Sequence, residues 1–103
     1  MRSYILDGIP THEIAIQGLA HSFPDQEDFE TKVVFGPDGK QSISWLYVGE
    51  PDDFEGLDGP FLIQADLSGR FYDFDINTIV IQTLRIIQAQ IGGVIRNDDG
   101  IVV

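Results

Sequence analysis

The spacing of apolar residues changes near Ile76, and that change limits the fold more than any other feature of the chain. Between Phe61 and Ser68, apolar Phe61, Ile63, Ala65 and Leu67 alternate with Leu62, Gln64, Asp66 and Ser68. A period of two puts alternate side chains on opposite faces of a strand. From Ile76 onward, Ile76, Val80, Leu84, Ile87 and Ile91 recur every three or four residues. That spacing is one face of an α-helix. Asp75 is the expected N-cap, and Gly92-Gly93 the stop. The segment is rich in isoleucine, whose helix preference is mediocre because branching at Cβ stiffens χ1. A strand is the poorer reading all the same, since Val80, Gln82 and Leu84 do not alternate with their neighbours. A helix over 76–91 would be about 24 Å long, enough to cross a four-stranded sheet.

Turn residues suggest how the strands pair. Ser68-Gly69 reads as a tight turn, with Arg70 to Phe74 as the return strand. That register pairs Leu67 with Arg70, Ala65 with Tyr72 and Ile63 with Phe74. A second hairpin is expected from Phe29 to Val48, turning through Gly36-Pro37-Asp38-Gly39. A loop of Pro37-Asp38-Gly39 pairs Val33 with Ile43, Thr31 with Trp45 and Phe29 with Tyr47. It predicts a glycine bulge at Gly39 and places Val33, Ile43 and Trp45 on the core face. Near the end, Val94–Arg96 and Ile101–Val103 flank the turn Asn97-Asp98-Asp99-Gly100. Residues 12–19 read as a strand with Ile14 and Ile16 on one face, or as a short helix capped by Thr11 and weakened by Gly18. The strand is preferred. The expected fold class is α+β, an antiparallel sheet of four to five strands with one principal C-terminal helix packed on one face. Residues 1–103 are read as a single globular domain.

Charge bears on partners rather than on fold. Seventeen acidic residues face six basic ones, a formal net charge of −11. Such a body repels nucleic-acid phosphates and anionic lipid and attracts basic surfaces. The acids cluster as Asp25, Glu27, Asp28 and Glu30, then Glu50, Asp52, Asp53, Glu55 and Asp58, then Asp98-Asp99. Pro24, Pro51, Gly56, Gly59 and Pro60 beside the first two groups mark them as loops. No cysteine is present, which excludes disulfides and thiolate sites. Asp7 interrupts the N-terminus before an apolar signal region builds. No apolar run reaches the ~18 residues of a membrane span. A cytoplasmic location is therefore expected.

Catalytic and metal motifs fail on inspection. His12-Glu13-Ile14-Ala15-Ile16 begins like a zinc-protease helix, but the second histidine is replaced by Ile16. Asp52-Asp53-Phe54-Glu55-Gly56 lacks the alternating acids and closing glutamate of a calcium loop. There is no nucleophile elbow and no glycine-rich phosphate loop. Gly56-Leu57-Asp58-Gly59 is too acidic to hold a nucleic-acid backbone. Asp66 and Asp73 are a conceivable acid–base pair, but no shielding cleft is evident for them. The chain is accordingly read as non-enzymatic, with no catalytic residue, no metal site and no cofactor.

The remaining signal is an apolar ring set among carboxylates. Phe54 lies inside the acidic loop, and Phe71 falls on the polar side of the expected hairpin. Rings with a charged rim are the composition of a protein interface. The expected partner-binding set is Glu50, Asp52, Asp53, Phe54, Glu55, Asp58 and Phe71. The expected function is a small acidic protein-interaction module that docks on a basic protein. An inhibitor or immunity-type protein covering a basic site, such as that of a nuclease, is its natural form. Neither nucleic acid nor membrane is expected as a partner. One alternative is a structural protein that forms a homodimer through Ile79 and Ile86 on a second stripe of the helix. Another is a domain binding a divalent cation or small molecule. Acidity serving only solubility explains the charge without any partner.

Overall fold

The computed structural model describes residues 3–26, 31–36, 39, 42–50, 60–67 and 74–103. Along the chain run β1 (Ser3–Ile9), α1 (His12–Ser22), β2 (Thr31–Phe35), β3 (Ser42–Gly49), β4 (Phe61–Leu67), α2 (Phe74–Ile91) and β5 (Val94–Asn97). The strands form one antiparallel sheet in the order β2-β3-β4-β1-β5. The fold is α+β, with the longer helix near the C-terminus, as the change of apolar period predicts.

Both helices pack on the same face of the sheet. Val80, Leu84 and Ile87 of α2 join Ala15 and Leu19 of α1, Tyr4, Leu6 and Ile9 of β1, Leu46 of β3, Ile63, Ala65 and Leu67 of β4 and Ile95 of β5 in one buried cluster. Full burial of a large apolar side chain contributes about 1.5–3 kcal/mol, so this layer is the main source of stability. Gly92 (φ +81°) closes α2, its N–H donating to the Gln88 carbonyl at 2.8 Å. Such left-handed closure is the usual role of glycine just past a helix. Gly93 (φ +105°) then lies against β1, where an added Cβ would fall 2.4 Å from the Asp7 carbonyl oxygen. Only glycine permits that approach of β5 to β1. Helix α2 begins at Phe74, so Asp75 lies within it rather than capping it.

Residues 12–19 are helical, not the preferred strand. Thr11 caps α1, its Oγ1 accepting from the Ile14 N–H at 3.1 Å. Ala15, Gly18 and Leu19 are buried at helical spacing. Gly18, read as a weakness of the helix, is where the helices meet. A Cβ there would lie 3.0 Å from Ile91 Cδ1 and 3.2 Å from Ile87 Cγ2. The gain from close packing outweighs the propensity lost.

The expected hairpin of residues 61–74 does not form. Strand β4 is central: Ile63 pairs with Leu6 and Val48, and Ala65 pairs with Tyr4 and Leu46. Neither side of β4 is left for a return strand; Arg70 to Asp73 lie outside the described residues, and Phe74 opens α2. Alternation marks a strand but says nothing of its neighbours. The hairpin of β2 and β3 does form, in a different register. Val33 pairs with Trp45 and Thr31 with Tyr47. Gly39 does adopt a left-handed φ of +69°. The register, however, shifts elsewhere: Val34 pairs with Ser44 and Phe35 with Ser42, leaving Ile43 as the extra residue on β3. Ile43 is buried as expected, whereas Trp45 is 39% exposed on the face away from the helices. The bulge reverses which residues of β3 face the core.

Both sheet edges are partly covered. At β2, the Gln26 side chain behaves like a neighbouring strand: its Nε2 donates to the Val33 carbonyl at 2.8 Å, and its Oε1 accepts from the Val33 N–H at 2.8 Å. The buried Lys32 adds a bond from Nζ to the Gln26 carbonyl at 2.7 Å. At β5, Arg96 bridges to Val102, and Val103 N–H donates to the Ile95 carbonyl at 3.1 Å. Occupied edges resist strand addition.

Candidate interaction face of the sheet

The helix-free face of the sheet brings polar and aromatic side chains together. Strict alternation puts Val33, Phe35, Trp45, Tyr47, Gln64, Asp66, Ser3, Ile5, Asp7 and Arg96 on that side. The face has two ends of different character. Toward β1 and β5 it is closed. Asp7 is fully buried, and its Oδ2 receives Arg96 Nε at 3.0 Å. Arg96 Nη1 also donates to the Gly100 carbonyl at 3.3 Å. Ile5 and Leu62 are buried here as well, outside the helix-side cluster.

Toward β2 and β3 the same face is open. Phe35 is 47% exposed and Trp45 39%, with half-buried Val33 and Tyr47 beside them. Trp45 is paired across the strands with Val33 on one side and Asp66 on the other. Asp66 accepts three hydrogen bonds: from Ser3 Oγ (2.6 Å) and Gln64 Nε2 (2.7 Å) at Oδ1, and from Tyr47 Oη (2.5 Å) at Oδ2. Strands β1, β3 and β4 each contribute a donor, so the carboxylate is fixed in orientation by the sheet itself. None of these donors is cationic. Among the described residues, no lysine or arginine pairs with Asp66.

Most of the expected partner-binding residues lie outside the described part of the chain. These are Asp52, Asp53, Phe54, Glu55, Asp58 and Phe71; Asp73 does too. Glu50, at the end of β3, is exposed. Asp25, Asp98 and Asp99 are exposed on connections. Trp45, Phe35 and Asp66 were not in that set. The register expected from the turn puts Trp45 in the core, and the Ile43 bulge overturns it. Phe35 is the last residue of β2 and shares the face of Val33, away from the helices.

Other candidate features are dispersed. The His12 ring meets Phe61 edge-on with centroids 5.8 Å apart, and His21 is exposed at the far end of α1. Among the described residues, no three histidine, aspartate or glutamate side chains converge as a metal would require. An open groove of about 220 Å³ lies between the helices, lined by Gln17, Gly18, His21, Gln90 and Ile91. Ile79 of α2 packs against the core cluster, while Ile86 is 57% exposed. No helix among the described residues is long and apolar enough to cross a membrane. No protein-family model, curated protein or solved structure matches the chain.

Proposed function

We propose that the chain is a non-catalytic interaction module that docks on a basic protein through the open end of its helix-free sheet face. The observation that carries this reading is the exposure of Trp45 and Phe35 on a body of net charge −11. Aromatic side chains supply much of the affinity of protein interfaces, and charge of opposite sign speeds encounter. Partly covered sheet edges favour docking on the face over strand addition. An inhibitor or immunity-type protein that covers a basic active site fits this combination of small size, acidity and aromatic anchors.

The test compares the wild-type chain with a Phe35→Ala/Trp45→Ala double variant as bait in lysate of the native host. Captured proteins are cross-linked and identified by mass spectrometry at low and high salt. The reading expects basic proteins that leave at high salt and are missing from the variant. An identical protein set on both baits would end it. A second reading, self-association through α2, has the exposed Ile86 in its favour. A strictly monomeric mass by light scattering at high concentration would exclude it.

A further inference from the structure

We infer that Trp45 and Asp66 together receive one arginine side chain of a basic protein. The inference rests on the docking reading above and names its anchor point. Trp45 on β3 and Asp66 on β4 are directly opposed, which sets their β-carbons about 5 Å apart. The indole is partly exposed, and three neutral donors orient the carboxylate without adding positive charge. Asp66 Oδ1 accepts two of these bonds and Oδ2 one. A carboxylate oxygen has two acceptor positions, so Oδ2 retains one for an incoming donor.

A guanidinium suits this pair better than an ammonium. It is planar, weakly hydrated and stacks on an indole while its edge N–H groups reach a neighbouring oxygen. An ammonium is compact and holds its water more tightly. None of the described cations of the chain itself pairs with Asp66. Lys32 is buried on the helix side against the Gln26 carbonyl, and Arg96 is turned toward Asp7. Arg85 is on α2, across the sheet from this face.

Trp45 is the only tryptophan in the sequence, so its emission reports on this position alone. The full chain is titrated with a short Gly-Arg repeat peptide and with a Gly-Lys peptide of equal charge, at one ionic strength. The arginine peptide is expected to shift Trp45 emission and to bind at least about tenfold more tightly than the lysine peptide. Asp66→Asn should remove that preference, with its folding checked by thermal melting. Trp45→Leu, at an exposed position and read by calorimetry, should remove it as well. Equal binding of the two peptides, unchanged in Asp66→Asn, would overturn the inference while leaving the acidic docking reading in place. No binding of either peptide would overturn both.

Discussion

Asp7 and Asp66 lie on the same face of one sheet and are treated in opposite ways. Asp7 is fully buried and held by the Arg96 guanidinium, 89 residues away in sequence. Asp66 is half-buried and, among the described residues, held by neutral groups alone, beside a partly exposed tryptophan. A buried carboxylate is costly unless a cation and hydrogen bonds replace its water. The closed end supplies the cation from within the chain and ties β1 to its neighbour β5. At the open end no described cation neutralises the oriented carboxylate, the condition in which a surface group gains most from a partner's charge. Stability should therefore be concentrated at the Asp7 end and recognition at the Asp66 end.

The sharpest way to break this contrast is Arg96→Ala. It removes the guanidinium from a fully buried carboxylate and should cost about 3–5 kcal/mol in denaturant unfolding. A loss below about 1 kcal/mol would mean that Asp7 does not depend on Arg96. Gly93→Ala attacks the same end through the backbone. Its Cβ would clash with the Asp7 carbonyl oxygen at a positive φ, and the expected loss is about 2–3 kcal/mol. An unchanged melting temperature would show that β5 can shift away from β1. At the open end, Asp66→Asn keeps an acceptor for Ser3 and Gln64 at Oδ1 and sets an NH2 donor against the Tyr47 hydroxyl, which can turn to accept, so stability should alter by about 1 kcal/mol or less. Its effect belongs in binding instead. Trp45→Ala should likewise cost about 1 kcal/mol in unfolding, since the ring at 39% exposure still packs on its cross-strand neighbours. A loss of several kcal/mol in either open-end variant would make that end structural and erase the contrast.

How far residues reveal structure depends on whether a feature is local. The α2 stripe Val80, Leu84 and Ile87 was legible because periodicity within one helix already defines its buried face. Strand β4, with Gln64 and Asp66 opposite the core, was legible for the same reason. Its neighbours were not, because β1 and β3 come from distant parts of the chain. A plausible turn at Ser68-Gly69 suggested a local hairpin that the sheet order excludes. Helix α1 escapes a local reading because Gly18 counts against a helix in isolation, while in the fold it is the contact point with α2. The candidate site was the least legible part. One extra residue at Ile43 changed the face of Trp45. Of the acidic set, the described Glu50 is exposed, and two of the three donors to Asp66, Ser3 and Tyr47, lie on strands that only the fold brings beside it.

By itself the sequence determined the charge of the body, the run of α2 and the two-sided character of β4. Those are sums over residues or patterns within short windows, which need no knowledge of the rest of the chain. Tertiary structure alone decided which strands flank β4, which way Trp45 faces, and that Arg96 serves Asp7 rather than Asp66. Pairing register and cross-strand hydrogen bonds join residues as far apart as Ser3 and Asp66, where local propensity carries no information.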